Sequence, residues 1–214
     1  MVAPMPLPQT FTGRQITLHP LDVDRDVAEL HAISHDGETA RELWRFLPGG
    51  PFSDAAEQAD FLRDWQSRPD VIAFTVRETC SRRALGSISL MNVRPEHGVA
   101  ELGNIWYAPG AQKTGANTEA CFLLLRHCFE DLGYRRMEWK CDSRNEPSRR
   151  AALRLGFSYE GLFRQHMMVK GMNRDTAWFA MLDHEWPRLG AAILLWLQGE
   201  PRVSLASLTR PVTD

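Results

Sequence analysis

The sequence predicts a single α/β (α+β) domain with a mixed central sheet of about seven strands, flanked by helices. Two observations lead to this class. The 214 residues and an apolar content of 43% fit one folded domain with a short extension. Segments with strand-like alternation are interleaved with segments of helical periodicity, which is the pattern of a sheet covered by helices.

The first half of the chain predicts two helices and an antiparallel meander. Residues 16–21 are typical of a strand, and residues 22–35 carry apolar side chains at helical spacing. A loop rich in Pro and Gly at 44–52 precedes a second helix over 53–66, with Ser53 as its N-cap. Three alternating segments follow, and their short connections favour antiparallel pairing; they are 71–78, 84–93 and 99–107.

After Tyr107 the pattern changes to strand, helix, strand. A loop at 108–115 leads into a helix that ends at Gly133, and a strand over 136–141 follows. Because such a unit joins parallel strands by a right-handed crossover, the middle of the sheet is predicted to be parallel. The remaining predicted elements are a helix over 146–155, strands over 159–169 and 175–182, and a terminal helix over 183–198.

Charge and cysteine usage exclude several classes of protein. With 25 basic and 27 acidic residues, the chain has no overall field that would hold a nucleic-acid backbone. The four cysteines form no CxxC pair and match no zinc spacing, so we expect no metal and a cytoplasmic location. The most apolar run, 191–197, is far shorter than the roughly 20 residues of a membrane span, so no membrane association is expected.

The ends of the chain are predicted to be appendages. We expect an extended, proline-containing arm over 1–14, one domain over 15–186, and a helix with a tail over 187–214.

The loop between the third segment of the meander and the long helix is a candidate anion site. Gly110 and Gly115 let the backbone approach a ligand, and the first turn of the following helix has unpaired N–H groups. Ala116 and Asn117 stand where a nucleotide-hydrolysing P-loop needs Lys and Ser or Thr. The loop therefore predicts either a phosphate cradle without metal ligation or a plain strand-to-helix turn.

Taken together, four groups of residues resemble the GNAT superfamily of acetyl-CoA-dependent N-acetyltransferases, and within it the Rim-type branch, which includes enzymes that acetylate ribosomal-protein N-termini. The resemblance covers about 16–186. Its carriers are Glu101-Leu102-Gly103, Gln112-Lys113-Thr114-Gly115-Ala116, Asn145-Glu146-Pro147-Ser148 with Leu155-Gly156-Phe157, and Arg174-Asp175-Thr176.

The resemblance implies a sheet splayed between its fourth and fifth strands, with acetyl-CoA as co-substrate lying in the gap and no metal. The pyrophosphate would lie on the N–H groups from Gln112 to Asn117, and Asn117 departs from the small residue usual there. Asn145 would bond near the pantetheine arm. The residues expected to bind the cofactor are Trp106, Tyr107, Gln112, Lys113, Thr114, Gly115, Ala116, Asn117, Asn145 and Ser148.

Acetyl transfer to an amine needs a base for the amine and an acid for the departing thiolate. Glu101 lies on a mostly apolar strand, where a carboxylate is costly unless it is paired or functional. It is therefore a candidate general base, or it pairs with an arginine or faces solvent. Ser148 is the candidate general acid, or simply a first-turn helix residue. His166 is a remote second candidate for the base.

The acceptor is expected to be a primary amine, on a protein N-terminus or a small molecule. Trp44, Phe46 and Phe52, with Glu101, are the candidate substrate-binding residues; the aromatic rings are alternatively core or dimer contacts. Residues 36–45 carry both charge signs, which points to no particular class of amine. The competing interpretations are a non-catalytic acyl-CoA sensor and an interaction module, and the chain is expected to be a monomer or a homodimer.

Overall fold

The computed structural model describes residues 2–35, 37, 39–199 and 203–210, and in this part of the chain eight strands form one mixed sheet. The strands are β1 (Phe11–Thr12), β2 (Ile16–Pro20), β3 (Ile72–Glu78), β4 (Ala84–Arg94), β5 (Val99–Tyr107), β6 (Arg136–Asp142), β7 (Ser158–Val169) and β8 (Met172–Leu182). The helices are α1 (Val23–Ser34), α2 (Thr39–Trp44), α3 (Ala55–Ser67), α4 (Ala116–Arg126), α5 (Glu146–Leu155), α6 (Trp186–Leu197) and α7 (Leu205–Thr209).

The strand order is β1-β2-β3-β4-β5-β6-β8-β7. Strands β1 to β3 pair antiparallel with their neighbours up to β4, whereas β5 and β6 are parallel, as the sequence predicts. The paired register of β5 and β6 runs only from Val99–Arg136 to Glu101–Glu138, although both strands continue beyond it. The pairing therefore ends where the resemblance places the gap in the sheet.

The chain divides into two compact units. The C-terminal unit contains Met1–Met5, Arg94–Glu101 and Leu124–Asp214, and the N-terminal unit contains Pro6–Val93 and Leu102–Leu123. The arm, domain and tail predicted from the sequence stay predictions. Of the predicted ends, residues 1, 200–202 and 211–214 lie outside the described residues.

In the C-terminal unit, helix α5 begins and ends at the capping residues that the sequence indicates. The side chain of Asn145 accepts a hydrogen bond from the N–H of Ser148, and Gly156 ends the helix with a left-handed φ of 97°. The N-terminal residues dock on the same unit, because Tyr134 donates its hydroxyl to the carbonyl of Pro4 at 3.2 Å.

In the N-terminal unit, helices α1 and α3 begin at aspartates. Asp22 caps α1, and Asp54 caps α3 by accepting the N–H of Glu57 at 2.9 Å. The prediction of Ser53 as the cap was wrong by one residue, because both the N–H and the hydroxyl of Ser53 are donated to the Glu57 carboxylate. The aromatic rings of α2, α3 and β5 form the core of this unit.

Four elements differ clearly from the sequence prediction. The helix predicted to end at Gly133 is α-helical only up to Arg126 and continues as a π-helix over His127–Asp131. Strand β1 has only two residues and helix α2 only six. Both are too short to show a hydrophobic periodicity, so the sequence did not predict them. Strand β8 begins at Met172 rather than at 175, because its first residues pair with the end of β7. Among the described residues, no helix combines the length and the apolar character needed to cross a membrane.

Candidate active site

The loop before α4 is held in shape by its own side chains. The Gln112 side-chain amide donates to the carbonyl of Tyr107 at 3.0 Å. Thr114 donates its hydroxyl to the carbonyl of Ala111 at 2.7 Å and accepts the N–H of Ala116 at 3.2 Å. Lys113 has a positive φ of 60°, which turns the backbone between these two contacts.

Several backbone donors of this loop are available to a ligand. No described residue accepts a hydrogen bond from the N–H of Lys113, Thr114 or Gly115. The first turn of α4 adds donors without intrahelical partners and the positive end of the helix dipole. These donors are compatible with the phosphate cradle, one of the two interpretations of this loop, and the diphosphate site stays a prediction.

Close packing at Gly115 explains its residue type. A Cβ atom at this position would lie 2.8 Å from Oε1 and 2.9 Å from Nε2 of Gln15. Gly110, in contrast, has open space at the same position. A side chain at Gly115 would therefore displace the end of the Gln15 side chain, a contact that the glycine spacing in the sequence did not reveal.

Glu119, which the sequence analysis missed, anchors the first turn of α4. Its carboxylate accepts the backbone N–H groups of Arg14 at 2.7 Å, Gln15 at 2.8 Å and Ile16 at 2.9 Å. The side chain is almost completely buried. The sequence showed only an acidic residue in the first turn of a helix. That position does not reveal that three N–H groups distant in sequence bind the carboxylate.

Glu101 is buried in a charged cluster of the C-terminal unit. Only 4% of the residue is exposed. Its Oε2 lies 2.8 Å from Nζ of Lys140, and the same Nζ lies 2.9 Å from Oε2 of Glu138. The interpretation of Glu101 as solvent-exposed is therefore wrong, and the interpretation as an ion-paired carboxylate fits, with a lysine on β6 as a partner.

The cluster extends from Glu138 towards the surface. Arg136 donates its Nε–H to Glu138 at 2.9 Å and binds the Glu160 carboxylate through both terminal nitrogens. Burial alone would raise the pKa of the Glu138 carboxyl, but the hydrogen bonds from Lys140 and Arg136 outweigh it and lower that pKa. The cluster is thus a compensated set of ionised groups.

Ser148 lies on the other side of β6. Its hydroxyl oxygen accepts the indole N–H of Trp139 at 3.0 Å. Burial raises the pKa of the neighbouring Cys141 thiol, and a hydrogen bond with Ser148 acts in the opposite direction. Because side chains alternate along a strand, Trp139 and Cys141 face away from Lys140. Glu101 and Ser148 therefore approach β6 from opposite faces.

The end of β5 contains an irregularity. Asn104 has a positive φ of 49°, which interrupts the alternation predicted from Val99 to Tyr107. Trp106 and Tyr107 are buried, and a Cβ at Gly86 would collide with the Trp106 carbonyl. The Tyr107 hydroxyl has no hydrogen-bond partner in the described part of the chain, and burial raises its pKa well above the ordinary value.

The aromatic side chains predicted for the acceptor segment are used mainly in packing. Trp44 is 2% exposed and Phe52 8% exposed, and their rings lie 5.0 Å apart. Trp44 also contacts Trp106, with 5.4 Å between ring centroids. Phe46 is half-buried beneath the guanidinium of Arg45. Trp44 and Phe52 are therefore core residues, the alternative to a substrate-binding role. Residues 36 and 38 of this segment lie outside the described residues.

No metal site accompanies these groups in residues 2–35, 37, 39–199 and 203–210, where His, Cys, Asp and Glu form no cluster of three or more that could hold an ion.

Residues 15–158 match the acetyltransferase (GNAT) domain family. The match covers more than half of the chain, so the protein belongs to this family of acetyltransferase enzymes. Acetyl-CoA is the acetyl donor of the family, and the residues of the α4 loop fit its diphosphate. The fold class and the resemblance inferred from the sequence are confirmed.

Similar proteins come from several bacteria. A GCN5-related N-acetyltransferase from Brucella melitensis is 40% identical, with a TM-score of 0.91 over 97% of this chain and 96% of that one. A probable GNAT-family acetyltransferase from Chromobacterium violaceum is 38% identical, with a TM-score of 0.82 over 87% and 92% of the two chains. The Bacillus subtilis protein YdaF, provisionally named a ribosomal N-acetyltransferase, is 30% identical over 79% of this chain and 90% of its own.

Proposed function

We propose that this enzyme transfers an acetyl group from acetyl-CoA to a primary amine, on a protein N-terminus or a small molecule, with Glu101 as general base and Ser148 as general acid. The observation that carries the proposal is the placement of these two residues on opposite faces of β6. The amine and the thiolate are bound to the same tetrahedral carbon during acyl transfer, so a base and an acid that approach this carbon from different sides can act on the two groups separately.

The proton of the amine goes to Glu101. An α-amino group has a pKa of about 8, so a nearby carboxylate, directly or through one water, is a sufficient acceptor. The ammonium of Lys140 lies 2.8 Å from Oε2 of Glu101 and fixes the position of the carboxylate. The amine nitrogen then forms a bond to the carbonyl carbon as the carbon–sulfur bond breaks.

The proton for the departing thiolate comes from Ser148. The indole N–H of Trp139 occupies one lone pair of the hydroxyl oxygen, so the Ser148 hydrogen, which also bonds Cys141, is the donor that can turn to the thiolate. A proton from water then restores the hydroxyl, while Glu101 releases the amine proton to water. Asn145 holds the backbone of the same residue at 3.1 Å. When bound, acetyl-CoA supplies the activated acetyl group; the N–H groups from Gln112 to Asn117 would hold its diphosphate.

A thiol-release assay with acetyl-CoA tests the proposal. The acceptors are N-terminal peptides and small primary amines, and the variants are Glu101→Gln, Ser148→Ala and, as a control, the exposed Glu96→Gln. We expect Glu101→Gln to lower kcat by about 100-fold or more, a typical contribution of a general base, while CoA binding by calorimetry persists. Unchanged turnover in Glu101→Gln removes this residue from the mechanism, and CoA binding without thiol release favours a sensor instead.

A further inference from the structure

The β7–β8 hairpin presents an apolar surface that continues from the charged cluster around Glu101. Nζ of Lys140, which binds Glu101, lies 4.1 Å from the centre of the Trp178 ring. Trp178 contacts Phe163 at 4.7 Å between centroids, and Phe163 meets the ring of His166 edge-on at 5.6 Å. This continuous series of contacts lies entirely within the C-terminal unit.

The strand register places these side chains on one face. Glu101 is opposite Glu138, Lys140 is opposite Trp178, and Phe163 is opposite Thr176. Cross-strand partners point to the same side of a sheet, and residues two apart along a strand share a side. We call the apolar part of this side the hairpin face; it consists of Phe163, His166, Met167, Met172 and Trp178.

The hairpin face exposes an unusual amount of apolar surface. Phe163 is 50%, Met167 45% and Met172 59% exposed. Contiguous apolar surface on a folded protein marks a site where a ligand or partner binds.

The charged cluster next to the hairpin face is balanced, and Arg174, which lies opposite Met167 on the same side of the sheet, adds a further cation. Lys140 lies between Glu101 and Glu138, and Arg136 and Arg94 also bind Glu138. A second positive charge on an acceptor would be repelled by these cations, because the carboxylates of the cluster already bind them. An apolar group would instead cover the exposed ring of Phe163 and remove it from water.

Resting on the proposed role of Glu101, we propose that the acceptor carries its primary amine next to an apolar or aromatic group, which binds the hairpin face. Polyamines and amines next to a basic side chain are poor acceptors. Phe163 is the specificity-determining residue, because it combines exposure with direct contact to Trp178.

The test compares matched amines in the thiol-release assay. The apolar probes are 2-phenylethylamine and a Phe-Ala dipeptide amide, and the charged probes are 1,5-diaminopentane and a Lys-Ala dipeptide amide. We expect kcat/KM for the apolar member to exceed that for the charged member by about 10-fold, the usual scale of discrimination in an apolar site. Preference between the two apolar probes distinguishes a small amine from a peptide N-terminus.

Two neighbouring residues provide the variant and its control. Phe163→Ala is expected to raise KM for the apolar probes about 10-fold with little change in kcat or in CoA affinity. The KM of Phe163→Leu for the apolar probes is expected to lie between those of the unmodified enzyme and Phe163→Ala. Leu162→Ala removes a side chain of similar exposure (44%) that faces the other side of the sheet, and KM stays unchanged. Equal effects of Phe163→Ala and Leu162→Ala, or better use of the charged probes, overturn the proposal.

Binding measured without turnover separates this proposal from the catalytic one. Calorimetry of 2-phenylethylamine with the CoA-loaded Glu101→Gln variant is expected to show binding that Phe163→Ala removes. If Glu101→Gln does not slow turnover, the assigned base is wrong, but the contrast between Phe163→Ala and Leu162→Ala still decides the acceptor class. Absence of binding with Phe163 intact overturns the acceptor class alone.

Discussion

The ammonium of Lys140 lies 2.8 Å from Oε2 of Glu101, so the proposed catalytic base faces a buried cation. The same ammonium also binds Glu138, and only 12% of the Lys140 side chain is exposed. Without this lysine, two carboxylates would face each other in a largely dry environment. Stability and the proposed chemistry therefore depend on one side chain.

Replacing Lys140 tests this dependence. We expect Lys140→Met to lower the free energy of unfolding by about 3 to 5 kcal/mol, as is usual when one partner of a buried ion pair is lost. Adding Glu101→Gln removes the repulsion between the two carboxylates, while Glu138 keeps Arg136 and Arg94 as partners, and recovers part of the loss. Urea unfolding measures both, with Lys113→Met, on the α4 loop, as control. A double variant no more stable than Lys140→Met contradicts the assignment.

Gly115 provides a steric test of the diphosphate site. Gly115→Ala places a Cβ 2.8 Å from the Gln15 amide, which must move or displace the loop. Because the amide is the end of a flexible side chain, we expect a cost of about 1 kcal/mol, the lower end of the range for overpacking, and a rise in the dissociation constant for CoA of roughly fivefold. Gly110→Ala is the matched control, because nothing lies within 4 Å of the added atom. Calorimetry that shows the same affinity for both variants would exclude a role for this close approach.

Glu119 is expected to support the same loop from the other side. Glu119→Gln removes the charge that three backbone N–H groups share, and an amide nitrogen cannot accept the bonds that a carboxylate oxygen made. We expect a loss of about 2 kcal/mol in unfolding free energy, and weaker CoA binding with kcat little changed. The exposed Glu42→Gln serves as the control. A loss of stability with CoA affinity intact would show that Glu119 acts on the fold alone.

The buried carboxyl group of Asp26 is expected to make the stability of the N-terminal unit sensitive to acid. Burial alone would raise its pKa, but hydrogen bonds from Arg25, Thr75 and Arg77 lower it to about 2. The unfolded carboxyl titrates near 3.9, so the stabilisation is complete above that pH and is lost as the pH falls towards 2. The shift corresponds to about 2 kcal/mol. Unfolding free energies between pH 5 and 3 should fall less steeply in Asp26→Asn, and equal slopes would refute the assignment.

The sequence by itself determined the features that depend on neighbours along the chain. The N-cap at Asn145 and the helix end at Gly156 follow from local backbone preferences, and so does the identification of the loop around Gly115 as a candidate anion site. The class of fold followed from the alternation of strand and helix periods. These signals lie within a few residues of one another, so the linear pattern carries them.

Only the tertiary structure decided which side chains meet. Lys140 and Glu101 lie on different strands, and Glu119 binds Arg14 across 105 positions of sequence. Periodicity assigns a residue to a face of a strand, but the strand register decides its partner, and the irregularity at Asn104 breaks even that alternation. The charge of Glu101 was visible in the sequence. A buried carboxylate needs a partner, and the pairing of β5 with β6 brings Lys140 to Glu101 only when the chain folds.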